Sequence, residues 1–113
     1  MPVALSKLFV PTLLTNALAT IYTVAGPSTT IVENLVVRVT NTSASAETVT
    51  GNAVPSGGSA SDTNEICNVS VPANDYLLIT IPVLSYGDFV QFKQANSGTI
   101  CNIQHESGLP KYP

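Results

Sequence analysis

The chain has 113 residues, enough for one domain around one core, and 44% of them are hydrophobic, which excludes a disordered chain. Only 10% are charged, and the formal net charge is −3 with four Lys and Arg, so no basic stripe exists to hold a nucleic-acid backbone. No apolar run reaches the ~18 residues of a membrane-spanning helix.

In chain order, SKLFVP (6–11) reads as a short strand or extended arm that Pro11 ends. The stretch LFVPTLLTNALAT has a Lys ahead of it, and Ala17-Leu18-Ala19 mimics a cleavage site. Pro11, Thr12, Thr15 and Asn16 interrupt the apolar run, so it is read as mature sequence and not as a leader. TIYTVA (20–25) is a strand, followed by a turn at AGPS. TTIVENLVVRVTNTS (29–43) carries the clearest alternation: Leu35, Val37 and Val39 share one face, and Val36, Arg38 and Thr40 share the other. That is a half-buried strand with its apolar face inward.

TSAS reads as a turn into a partner strand, ETVTGNAVP (47–55), so that the two segments form a hairpin. A polar Gly/Ser stretch (55–64) follows, too long for a tight turn and with too few strands on either side to be a domain linker. It is expected to be an exposed connection whose deletion over 57–62 leaves folding intact. EICNVSV (65–71) is a strand with Cys67, Val69 and Val71 inward, and PAND is a turn. YLLITIPV (76–83) places Leu77, Ile79 and Ile81 on one face. FVQFKQ (89–94), a hairpin turn at ANSG, TICNIQH (99–105) and a Pro-bearing tail complete the chain. Short strands at regular turn spacing predict an all-β domain over 1–113. The expected architecture is a β-sandwich or jelly-roll-like fold of seven or eight antiparallel strands, with extended terminal arms at about 1–11 and 107–113.

Lys occurs only at 7, 93 and 111. Sheet edges are ordinarily protected by charge, Lys above all. A surface this poor in charge implies a sheet that closes on itself or edges that other subunits cover.

The residues offer little chemistry. Cys67 and Cys101 sit in matching contexts, ICNV and ICNI, with both side chains directed inward. They are either a disulfide between inner faces or two buried thiols acting as small apolar groups. His105 is the single histidine, so no zinc set can form. Cys101 and His105, four apart on a straight strand, lie ~13 Å apart, too far to act as a nucleophile–base pair. The carboxylates are scattered through turns and strand ends, Asp62, Asn64 and Glu65 lack calcium-loop spacing, and PSGGSAS has neither Lys nor a following helix to be a phosphate loop. No catalytic residue, cofactor or metal is expected.

One ordered set of stretches looks familiar: LFVPTLLTNALATIYTV, then ENLVVRVTNTSASAETVTGNAVPSGG, then VPANDYLLITIPV and GDFVQFKQANSG. It resembles small virion proteins of tailed bacteriophages, including head decoration or cement proteins, over about Leu8 to Ser107. The resemblance implies a non-enzymatic subunit on the outer surface of the capsid that bridges major capsid proteins, itself a dimer or trimer. Cys67, Cys101 and the GLPKYP tail have no counterpart in that pattern. Terminal arms lying across a neighbour and the central loop would make the contacts, which marks Leu8, Phe9, Val10, Ser56, Gly57, Gly58, Leu109 and Tyr112 as candidate interface residues. The alternative is a tail, collar or fibre-associated β-domain that binds a host glycan or another virion protein, which calls for exposed Tyr beside Asn or Asp in a groove.

Overall fold

The computed structural model describes residues 8–98 and 100–111. Most of the expected N-terminal arm, Thr99 and Tyr112 therefore fall outside the described residues. Among the described residues there is no helix. The strands are β1 (Thr12–Leu13), β2 (Ala19–Thr23), β3 (Ile31–Val32), β4 (Val36–Asn41), β5 (Glu47–Val54), β6 (Glu65–Val71), β7 (Asp75–Thr80), β8 (Leu84–Ser85), β9 (Phe89–Gln94), β10 (Cys101–Ser107) and β11 (Pro110–Lys111). Seven of them run five residues or more and four are two-residue pieces.

Two four-stranded antiparallel sheets, ordered β1-β10-β4-β7 and β2-β9-β5-β6, form an all-β sandwich. The pairing is nested: first long-range partners β1·β10, then β2·β9, then β4·β7, and innermost β5·β6. A third, three-stranded sheet, β11-β3-β8, joins pieces of two sheet-to-sheet connections and the C-terminal tail. It straps one end of the sandwich.

The alternation read from the sequence holds in β4 and β7, where Val37, Val39 and Ile79 are buried between the sheets, as are Leu35 and Ile81 beside them. Phe92 fills the centre from β9, and its ring lies where a Cβ on Gly51 would be, 2.6 Å away. Glycine at 51 is therefore required by close approach rather than by backbone angle.

Three local expectations change. The TSAS and ANSG turns do not close hairpins: β4 and β5 belong to different sheets, as do β9 and β10, so each turn crosses the sandwich. The hairpin partner of β5 is β6, which makes 55–64 a hairpin loop. The 29–43 segment is two strands, broken at Asn34, which adopts a left-handed φ of 57°. At the N-terminus the described strand lies beyond Pro11, at Thr12–Leu13, where it pairs with β10, and not across 8–11; residues 6 and 7 of the expected strand lie outside the described residues.

Candidate assembly surface

Sandwich topology sends alternate connections to opposite ends. The segments 8–11, 24–35, 55–64, 81–88 and 108–111 all emerge at the strapped end, and so do the described candidate interface residues. His105 on β10 organises the two termini there. Its Nδ1 accepts the Leu8 N–H at 3.1 Å, so the proton resides on Nε2, which donates to the Gly108 carbonyl at 2.8 Å. Phe9 packs against the His105 and Tyr22 rings. Leu8, Phe9 and Leu109 are thus half-buried against their own domain. Val10 instead stands 72% exposed. Val83, at 63%, and Tyr86 add exposed apolar surface at the same end.

The 55–64 loop is built, not slack. Asn64 is its hub: its Oδ1 accepts the Ser61 N–H and the Asn52 Nδ2–H, and its Nδ2 donates to the Ser59 carbonyl. Asn52, nearly buried in β5, also donates to the Ser61 carbonyl. At the loop's start, Asp88 holds Ser56, its Oδ1 accepting the Ser56 N–H at 3.0 Å while Oδ2 accepts the Ser85 N–H at 2.9 Å. Gly57 takes a φ of 78°, and Ser56, Gly57 and Gly58 remain exposed at the tip. Deletion of 57–62 would remove Ser59 and Ser61 and leave Asn52 short of a partner, so the loop is not free to go without cost. Beneath it lies an open groove of about 250 Å³ between Pro55, Ile66, Pro82 and Val83, and a second, of about 150 Å³, between Leu18, Asn52, Asp62 and Lys93. Neither is lined by tyrosine.

The two flanks of the sandwich differ. One is formed by β1, only two residues long, and by β2, whose register shifts between Thr20 and Tyr22; both devices blunt an edge. The other is formed by β6 and β7, joined by the turn at 72–74. These strands contain no Lys, Arg or Pro, and their only charges, Glu65 and Asp75, stand at their first residues. β7 pairs with β4 over six residues without a bulge. Its outward side chains are Tyr76, Leu78 and Thr80, with Leu78 52% exposed. Arg38 from β4 lays its guanidinium 4.2 Å from the Tyr76 ring centroid and pairs with Glu106 at 2.8 Å. Tyr76 belongs to the tyrosines (Tyr22, Tyr76, Tyr86 and Tyr112) that the sequence offers for a sugar site or for packing, whereas Leu78 was not singled out. Its signal was there: if Leu77 and Ile79 face inward, Leu78 must face out.

The opposite end is held by buried polar groups. Gln94, fully buried, accepts the Cys101 N–H through Oε1 and donates through Nε2 to the carbonyls of Asn96 and Gly98. The Glu47 carboxylate accepts from Asn96 Nδ2 and from the Thr48 N–H. Asn41 ties Ser45 and Val71 through Nδ2 and Ser43 through Oδ1. Cys67, half-buried on β6, and Cys101, buried on β10, are free thiols on different sheets. Burial, with a smaller contribution from Glu65 and Glu47 respectively, pushes each up to about 11, so both are protonated and poor nucleophiles at neutral pH. Among the described residues no three His, Cys, Asp or Glu side chains gather as a metal site.

Compared with known protein families, curated proteins and solved structures, the chain matches none.

Proposed function

We propose that the chain is a non-enzymatic structural subunit that decorates the outer surface of a tailed-phage head, bridging major capsid proteins. The observation that carries an assembly role is the convergence at the strapped end of Val10, Val83, Tyr86 and a prebuilt 56–58 tip. Apolar surface beside a rigid loop gains contact area at little ordering cost. The β6/β7 flank, free of Lys, Arg and Pro, supports the same role: β6 carries a register shift opposite Gly51/Asn52, but β7 pairs without a bulge and has its one charge, Asp75, at its first residue, so it lacks the devices that keep a solitary sheet edge apart from others. The nested strand order fits a jelly-roll-like wrapping, an architecture used in viral capsids and also in lectins, so the fold alone does not choose between them. The placement on a phage head rests on the sequence resemblance.

The test is localisation. An antibody against the purified chain, applied to particles from cells carrying its coding sequence, should label heads. Heads lacking the subunit should release DNA at lower temperature, and adding it back should restore the wild-type value. Label confined to tails or collars would favour the fibre-associated alternative, for which the second groove, with Asn52, Asp62 and Lys93, is the polar site to probe on a glycan array. Particles without label would refute both placements.

A further inference from the structure

We infer that β7 is the dimer seam: two copies join antiparallel, edge to edge, about a two-fold axis at Leu78. This rests on the assembly reading of the β6/β7 flank and names its first partner, a second copy of the chain.

Hydrogen-bond alternation fixes the register. Ile81 donates its N–H to the Leu35 carbonyl at 2.8 Å, directly beyond the Val36–Thr80 pair. In an antiparallel ladder hydrogen-bonded and open pairs alternate. Leu77 and Ile79 are thus hydrogen-bonded to β4, while Tyr76, Leu78 and Thr80 turn their main-chain N–H and C=O away from it. Among the described residues no strand lies on that side. The Tyr76 N–H, bonded to its neighbour Asp75 Oδ1, is consistent with this outward direction. A two-fold at Leu78 sets Leu78 opposite Leu78 of the second copy, and Tyr76 opposite Thr80. All three pairs draw on outward-facing groups, with the Tyr76 N–H exchanging its own Asp75 Oδ1 for the Thr80 carbonyl of the second copy, so a single dyad engages the whole edge. A foreign strand would have no such built-in match.

Side chains and charge agree. Leu78 meets its own copy and the large Tyr76 meets the small Thr80, on the same outer face. The only charge on β7 is Asp75. Parallel, in-register pairing would set Asp75 beside Asp75. The antiparallel dyad separates them by six residues along the strand, ~20 Å. The two Arg38 side chains, each paired with its own Glu106, lie three strand spacings apart, ~14 Å, beyond the ~8 Å screening length of physiological salt. Within the joined sheet the assembly also stops by itself. Joining the copies gives an eight-stranded sheet whose outer edges are both the two-residue β1, too short to template another strand.

Light scattering behind a sizing column tests this on the full chain. The wild type should run at twice its 11.8 kDa at micromolar concentration. Leu78→Lys, which sets ammonium against ammonium at the axis, should run as a folded monomer with an unchanged far-UV spectrum. Thr80→Lys, away from the axis, should weaken the dimer at least tenfold, and serves if Leu78→Lys fails to fold. Val83→Lys, an equally exposed apolar site at the strapped end, should stay dimeric. A wild-type monomer at all concentrations, a trimer, or a Leu78→Lys dimer would overturn the inference. A monomer that still decorates heads would sink the seam and leave the proposed function standing; a dimer that labels no particle would do the reverse.

Discussion

Gln94→Leu isolates what holds the far end of the sandwich. Gln94 is fully buried at the end of β9 and ties the 95–100 crossing to both sheets, through the Cys101 N–H and the carbonyls of Asn96 and Gly98, beside the Asn96–Glu47 contact. Leucine has similar size and none of the hydrogen bonds. Asn96 and Gly98 are exposed, so their carbonyls regain water. The Cys101 N–H is not exposed, and a stranded buried donor costs ~1–3 kcal/mol. Adding the lost net value of the other bonds gives about 2–3 kcal/mol. The unfolding entropy of a domain this size is roughly 0.24 kcal/mol/K, so the thermal midpoint should fall by about 10 °C. Urea unfolding at unchanged slope is the assay. Gln94→Glu sharpens it. A carboxylate facing two carbonyls is held neutral, its pKa raised in the folded state. Its penalty is therefore small below the unfolded value of ~4.3 and grows as pH rises above it. The gap to wild type should be narrow near pH 4 and wide at pH 7. A Gln94→Leu variant within 0.5 kcal/mol of wild type would show the reasoning wrong, and the buried amide to be incidental.

Three further outcomes follow from described contacts. Both thiols are raised to about 11 in the fold, so stability should be flat up to about pH 8.5, where unfolded thiols begin to ionise, and then decline towards pH 11; Cys67→Ala/Cys101→Ala should flatten that decline, and in Cys67→Ala a thiol reagent should reach the buried Cys101 only as fast as the fold opens. His105→Phe keeps a ring against Phe9 but loses both tethers; amide exchange should speed up at 8–10 and 108–111 and not in β4, with a stability loss of about 1–2 kcal/mol. Asp88→Ala releases Ser56 and Ser85; under the proposed function it should weaken binding to heads several-fold while the folded spectrum persists, and unchanged binding would remove the 56–58 tip from the contact.

Local patterns were legible in the sequence and long-range pairings were not. Leu35, Val37 and Val39 announced the inner face of β4 because two-residue alternation is a property of one strand. Which strand lies beside it is not: TSAS and ANSG carry ordinary turn residues, and the same residues serve a hairpin or a crossing between sheets. Asn34 broke the 29–43 segment because Asn tolerates left-handed angles, a tolerance that marks many positions where no break occurs. At the candidate surface, the segments 8–10, 56–58 and 108–111 were readable one at a time as exposed or terminal. Their arrival at one end follows from topology. Gln94 was missed as a buried residue, as were Asn41, Glu47 and Asn52. It shares a face with Val90 and Phe92, and the alternation pointed inward, but an amide reads as surface unless its three partners are known.

The nesting of the pairs has a consequence for synthesis. The last long strand made, β10, is not an edge: it slots between β1 and β4. Until it leaves the ribosome, both of those strands lack a neighbour, and β3 still waits for β11 on one side. A nascent chain therefore shows three extra open edges that the finished domain conceals. Completion of the sheet, rather than the appearance of any one segment, separates a chain that pairs indiscriminately from one that presents a single chosen seam.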